Sequence, residues 1–115
     1  MEPERIEYAN GRVEYKLNDQ LHREDGPAVV TATGDKYWYA LGVPHRVGGP
    51  AVECANGTIK YIQCGQLHNL EGPACEYPDG AKEWWVNNRL HRTDGPAVTG
   101  GGYPDQYWVD GKKIR

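Results

Sequence analysis

The stretch Leu21-His22-Arg23-Glu24-Asp25-Gly26-Pro27-Ala28-Val29 is one of four versions of the same motif in this chain. Histidines fall at 22, 45, 68 and 91, and Gly-Pro-Ala triplets at 26–28, 49–51, 72–74 and 95–97, in steps of 23 residues. A period held through four copies without an insertion constrains the fold more than composition does. Each copy must be one supersecondary unit that buries its apolar face only against its neighbours.

The punctuation says what the unit is. Asn10-Gly11 between alternating apolar residues is a hairpin signal, because a two-residue turn needs residues that accept positive φ. The same place holds Thr33-Gly34, Asn56-Gly57 and Asp79-Gly80. In the last unit it holds Gly102-Tyr103 within Gly100-Gly101-Gly102, so an irregular or mobile turn is expected there. Strands are predicted at 13–17, 36–40, 59–63, 82–86 and 105–109, each rich in Tyr, Trp or β-branched residues. A second turn follows each, at Asn18-Asp19, Leu41-Gly42, Cys64-Gly65, Asn87-Asn88 and Asp110-Gly111. A further strand opens at each proline, where no ladder donor is lost. Fifteen glycines, eight prolines and no phenylalanine agree with turns and strands over helix.

The expected fold is therefore all-β: an elongated, twisted antiparallel sheet of successive hairpins. It forms a single domain, 1–115, with units at about 5–26, 27–49, 50–72, 73–95 and 96–115. Ile114 stands where a fifth histidine would fall, so the C-terminus is expected to act as a cap.

Alternation along strands assigns faces. With two-residue first turns, Val29 lies opposite Trp38, Val52 opposite Tyr61, Cys75 opposite Trp84 and Val98 opposite Tyr107. With two-residue second turns, His22 faces Tyr15, His45 Trp38, His68 Tyr61 and His91 Trp84. The core candidate is thus a stack of Val or Cys, Tyr or Trp, and His. The opposite face mixes Glu7, Glu53, Glu76, Lys60 and Glu83 with Tyr39, Ile62, Trp85 and Trp108. Burial of the core face against a second copy makes a homodimer one expected partner.

Charge and composition exclude several classes. A net charge of −3 lacks the basic footprint of a general nucleic-acid binder. Apolar runs are far shorter than the ~20 residues that span a bilayer. The charged beginning of the chain has no apolar core of a secretory signal, so a cytoplasmic protein is expected. Three cysteines without CxxC spacing (Cys54, Cys64, Cys75) read as reduced, buried thiols, not as a disulfide frame or zinc site. Asn56-Gly57-Thr58 reads as a hairpin turn although it matches a glycosylation acceptor.

The pattern aromatic, Gly, Leu-His and Gly on a 23-residue period, running through Tyr37-Trp38, Gly42, His45 and Gly49 and their counterparts, resembles the MORN repeat. The likeness covers about residues 5–115. In place of the family's His-Gly pair this chain has His-Arg or His-Asn, and it adds Gly-Pro-Ala. Units of this LHRxDGPA kind look like a variant frequent in phage and giant-virus proteins, which implies a viral source and the host cytoplasm. The resemblance implies a meandering sheet of hairpins of a kind that serves as a scaffold, docking surface or membrane-adjacent platform and rarely as an enzyme; no enzymatic activity and no cofactor are expected.

Candidate sites follow from what the repeat leaves over. Equivalent histidines lie two strands apart, roughly 10 Å, too far to share a zinc ion whose ligands stand ~2 Å away. Each imidazole is expected to pack on its cross-strand aromatic and bond a turn carbonyl. The chain contains no serine, which excludes a Ser-His-Asp triad, and Cys64 with His68 lacks an orienting group. Arg23, Arg46, Arg92 and Arg115 keep the period, broken at Asn69, with Asp25, Glu71 and Asp94 two residues on. These arginines either hold local salt bridges and close the turns, or form a cationic row able to bind phosphate. Tyr39, Trp85 and Trp108 offer faces on which a base would stack. Candidate ligand-binding residues are therefore Arg23, Arg46, Arg92, Tyr39, Trp85 and Trp108. Two functions are open: binding of a protein partner or a second copy, and sequestration of a phosphate-bearing nucleotide signal as an anti-defence sponge; a third, a platform on anionic lipid, is disfavoured by the acidic net charge.

Overall fold

Among the described residues seven that are not glycine adopt left-handed backbone conformation, and all lie in the five second turns: Asn18, Asp19, Leu41, Cys64, Asn87, Asn88 and Asp110. With Gly42, Gly65 and Gly111 they make every second turn a two-residue loop with positive φ at both positions. That backbone twist matches the twist of the flanking strands.

The computed structural model describes residues 2–115. The first unit supplies β1 (Glu4–Glu7), β2 (Val13–Leu17) and β3 (Gln20–Leu21). The second supplies β4 (Val29–Val30), β5 (Lys36–Tyr37), β6 (Tyr39–Ala40) and β7 (Val43–Pro44). The third supplies β8 (Val52–Glu53), β9 (Ile59–Lys60), β10 (Ile62–Gln63) and β11 (Gln66–Leu67). The fourth supplies β12 (Cys75–Glu76), β13 (Lys82–Glu83), β14 (Trp85–Val86) and β15 (Arg89–Leu90). The last supplies β16 (Val98–Thr99), β17 (Trp108–Val109) and β18 (Lys112–Lys113).

A ten-stranded antiparallel sheet runs β1-β2-β4-β5-β8-β9-β12-β13-β16, with β3 on β2. The pairs β6-β7, β10-β11, β14-β15 and β17-β18 form small hairpins beside it. The molecule measures 48 × 26 × 18 Å with a radius of gyration of 15.9 Å. A compact chain of this length would have a radius near ~13 Å, so the elongated all-β sheet is as expected. Among the described residues no helix is long and apolar enough to cross a membrane.

Several details differ from the sequence reading, each for a local reason. The first turns are three-residue loops: Tyr8 N–H donates to Arg12 O, and the same bond joins Thr31 to Asp35, Cys54 to Thr58 and Tyr77 to Ala81. Only the glycine of each loop (Gly11, Gly34, Gly57, Gly80) has positive φ. Asn10, Asn56 and Asp79 instead turn their side-chain oxygens onto the N–H two residues later, at 2.9 Å. That side-chain bond holds an ordinary turn followed by a glycine bulge, so left-handed Asn or Asp is not needed. The extra residue moves the register by one. Val29 lies opposite Tyr37, Val52 opposite Lys60 and Cys75 opposite Glu83, not opposite Trp38, Tyr61 and Trp84.

The predicted five-residue strands at 36–40, 59–63 and 82–86 are each split at the aromatic residue in the middle. The ladder with the next unit stops at Ala51, Ala74 and Ala97, because the proline before each has no N–H. Beyond that point the chain pairs with its own second hairpin. At 105–109 only Trp108–Val109 is strand, with Gln106 bridged singly to Val98. The preceding glycines leave the ladder: Gly100, Gly101 and Gly102 all have positive φ, and a Cβ on Gly100 would come 2.4 Å from Gly80 O.

The core is correspondingly thin. Its buried apolar residues are Ala28, Val29, Ala51, Ala74, Cys75 and Ala97. The alanines of Gly-Pro-Ala, at most 1% exposed, thus share the deepest apolar positions with Val29 and Cys75, in place of the rings and histidines. The Val and Cys row shares its face with Glu14, Tyr37, Lys60 and Glu83, which lie directly opposite.

Candidate functional site: the guanidinium row and its gap

The second turns place the histidines. Lys16 pairs with Leu21 and Leu17 with Gln20, which brings His22 opposite Tyr15, where its N–H donates to Tyr15 O. The same N–H bond joins His45 to Trp38, His68 to Tyr61 and His91 to Trp84, so that part of the expected pairing holds. The imidazole bond differs. Nδ1 of His22, His45, His68 and His91 accepts the backbone N–H of Leu41, Cys64, Asn87 and Asp110, at 2.8–3.1 Å. The expected bond to a turn carbonyl is therefore replaced by one from a turn amide of the next unit. At the left-handed tip that N–H has no ladder partner, whereas the imidazole offers one acceptor nitrogen when its other nitrogen carries the proton. Nδ1 of His91 also stands 3.3 Å from the Asp110 carboxylate. One nitrogen cannot donate to the acid while accepting the amide, and the amide bond is the one shared with the other three units.

The arginines lie flat on the same aromatic row. Cζ of Arg23 stands 4.0 Å from the centre of Tyr15, Arg46 4.0 Å from Trp38, Arg92 4.0 Å from Trp84, and Arg115 4.2 Å from Tyr107. The ring quadrupole attracts the planar cation. Its edges are also engaged. Nη1 of Arg23, Arg46 and Arg92 donates to the carbonyl of Pro27, Pro50 and Pro96, at 3.0–3.2 Å. Nε of Arg23 and Arg92 donates to Asp25 and Asp94, at 3.0 and 3.1 Å. Arg46, whose unit has Gly48 in place of the aspartate, reaches Glu53 at 3.8 Å.

The glycine of Gly-Pro-Ala closes the slot from the other side. A Cβ on Gly26, Gly49 or Gly95 would come 3.0, 2.8 or 2.9 Å from the arginine Cζ. Each guanidinium is therefore sandwiched between a ring and a glycine. This explains the Arg-x-x-Gly spacing.

In the third unit the arginine is Asn69. Its Nδ2 donates to Pro73 O at 3.0 Å, the acceptor that takes Nη1 elsewhere, and its Oδ1 accepts Glu71 N–H at 3.1 Å. The short side chain stops there. Among the described residues no cation stands over the Tyr61 ring, and a Cβ on Gly72 would meet nothing nearer than 3.9 Å. A groove of about 640 Å³ opens at this point, lined by Tyr61, His68, Asn69, Glu71, Gly72 and Glu76 with Arg46 at its edge.

The six candidate residues do not share one site. Arg23, Tyr39 and Arg46 line a groove of about 670 Å³ between the first two connectors. Arg92 lines one of about 560 Å³ with Trp84 and His91. Trp85 and Trp108 line a separate one of about 520 Å³ with Arg89, Leu90 and Lys112. Both indoles are anchored: Nε1 of Trp85 donates to Glu83 and Nε1 of Trp108 to Gln106, each at 2.9 Å. Sequence reasoning missed the Tyr61 gap and the pairing of Arg89 and Lys112 with the tryptophans. The break at Asn69 was the visible signal for the first.

Of the three thiols expected to be buried only Cys75 is so, with Cys54 half-buried and Cys64 exposed. Cys75 and Glu14, both on the Val and Cys face, are the perturbed thiol and acid. Burial pushes the Cys75 thiol up to about 11, although a bond to Tyr77 opposes it. Burial and the neighbouring Cys75 and Glu83 raise the Tyr77 hydroxyl. Burial alone would raise the Glu14 carboxyl, but hydrogen bonds from Arg12 and Tyr8 and the charge of Lys16 outweigh it and hold the group below 4.5. These groups hydrogen-bond one another within the sheet, as Tyr8 to Glu14 at 2.8 Å and Tyr77 to Glu83 at 3.3 Å. No group of three or more metal-ligating side chains occurs among the described residues. No family model, curated protein or solved structure matches the chain.

Proposed function

We propose that the chain is a non-catalytic binding scaffold of MORN-like hairpin units, of viral origin, that engages a protein partner in the host cytoplasm. The observation that carries this reading is the row of open grooves between successive connectors, rimmed by Val47 and Leu70. These two apolar side chains stand one period apart and are 77% and 76% exposed. Leu41 and Val43 add exposed apolar surface at the tip of the second unit's hairpin. A periodic row of grooves with apolar rims suits an extended protein surface better than one small molecule.

Capture from a lysate of the cognate cell with the wild type and a Val47→Asp/Leu70→Asp variant tests this. A partner held stoichiometrically by the wild type and released by the variant supports it. Equal retention by both, or none by either, counts against it. Light scattering on the same proteins reads self-association, the other form of the proposal.

The second reading, a nucleotide sponge, draws on the Trp85 and Trp108 groove, where two aromatic side chains stand with Arg89 and Lys112. It does not draw on Arg23, Arg46 and Arg92, whose guanidiniums are committed to their own rings and carbonyls. Thermal melting with linear and cyclic nucleotides tests it, since a ligand that binds only the folded state must raise the midpoint.

A further inference from the structure

Three units of this chain show how a guanidinium is held: ring beneath, glycine above, a proline carbonyl and carboxylates at its edges. The third unit keeps all of these parts and lacks the guanidinium. Tyr61 is the ring and Gly72 the glycine, with 3.9 Å of clearance where its counterparts have 2.8–3.0 Å. Glu71 stands at the place of Asp25 and Asp94, and Glu76 at the place of Glu53, which reaches Arg46. Among the described residues neither Glu71 nor Glu76 holds a salt bridge. Pro73 O accepts from Asn69 and keeps a second lone pair.

We propose that the Tyr61–Gly72 slot receives a guanidinium from outside the chain, the side chain of an arginine on a protein partner. The slot discriminates by shape and charge together. A planar cation fits between ring and glycine as the chain's own arginines do, whereas an ammonium has no flat face to present. Two carboxylates then take its N–H groups, as Asp and Glu do in the filled units. Exposed Leu70 stands on the rim of the same groove, placed to touch the backbone that carries the arginine. This deepens the scaffold reading and rests on it only for the source of the arginine.

The test uses the full chain and three probes: acetyl-Gly-Arg-Gly-amide, the same peptide with citrulline, and free arginine. Resonances of the Tyr61 ring and the Gly72 amide are followed by NMR, with Tyr15 and Gly26 as the filled internal control. Expected is a saturable shift at Tyr61 and Gly72 with the arginine peptide, at least ten-fold weaker with citrulline, and none at Tyr15. Asn69→Arg should abolish it by filling the slot from within. Gly72→Ala should also abolish it, because the methyl takes the space of the guanidinium while meeting only Asn69 Nδ2, at 3.9 Å. No saturable shift, an equal response to citrulline, or undiminished binding by both variants would overturn the slot. Free arginine binding as tightly as the peptide would overturn the assignment to a partner's side chain. Partner capture that depends on Val47 and Leu70 while the slot stays silent would overturn the slot alone and leave the scaffold standing.

Discussion

Gly95 and Gly72 occupy the same place in successive units, and neither has a backbone conformation that excludes a side chain. An alanine at 95 puts its methyl 2.9 Å from Arg92 Cζ, inside any real carbon contact, so the guanidinium must leave Trp84. What is lost is a cation–π contact of about 0.5–2 kcal/mol and a carbonyl hydrogen bond of about 0.5–1.5 kcal/mol. The Asp94 pair adds little, since that carboxylate is 85% exposed. Against this, replacing glycine lowers the entropy of the unfolded chain and returns about 0.4–1 kcal/mol. Gly95→Ala is thus expected to destabilise by about 1–2 kcal/mol, with Gly49→Ala similar because its contact is 2.8 Å. At Gly72 only the favourable term remains, and alanine is expected to be neutral or stabilising by up to about 1 kcal/mol. Urea unfolding followed by fluorescence reads the difference, at a slope of about 1–3 kcal/mol per molar, as midpoints about 1 M apart. Equal midpoints for the two variants would refute the sandwich as the reason for the glycine.

Other outcomes follow from the same geometry. His45→Ala removes the acceptor of the Cys64 N–H, a loss of about 1 kcal/mol, and hydrogen exchange at that amide should quicken roughly five-fold while the first unit is unchanged. Cys64 is exposed and should react with an aromatic disulfide at pH 8, whereas Cys75, buried and raised to about 11, should stay unlabelled until the chain unfolds. Because the folded thiol binds its proton more tightly than the unfolded one, its contribution is intact below pH 9.0 and is lost as pH rises toward 11. Glu14 runs the other way. Its folded carboxyl lies below 4.5, so its stabilisation is present above that pH and disappears as pH falls through the depressed value, a limb that Glu14→Gln should flatten in acid-unfolding curves.

The repeat made the architecture legible, since a 23-residue period with two turn signals admits little but a meander of hairpins. It also placed each histidine opposite its ring, because Asn18-Asp19 and its counterparts declare a two-residue loop. The register of the other loop was not legible. Asn-Gly and Asp-Gly serve two loop lengths, and the choice fell to Asn10, Asn56 and Asp79 bonding the amide two residues on. That one residue moved Lys60 and Glu83 onto the face of Val52 and Cys75, and the deep places fell to four alanines with Val29 and Cys75. The arginines were visible as a series with their acids. Their seat on the rings was not, because it depends on where a side chain crosses back over its own strand. The absence at Asn69 could be read as an open slot only once the three filled ones showed what was missing.

The most direct test of this account is the proton NMR spectrum of the arginine side chains, assigned in the full chain. Stacking predicts upfield-shifted Hδ and Hε resonances for Arg23, Arg46 and Arg92, with nuclear Overhauser contacts to Tyr15, Trp38 and Trp84 respectively, and no arginine contact to Tyr61. Random-coil shifts without ring contacts for these arginines, or an arginine of the chain lying on Tyr61, would contradict it.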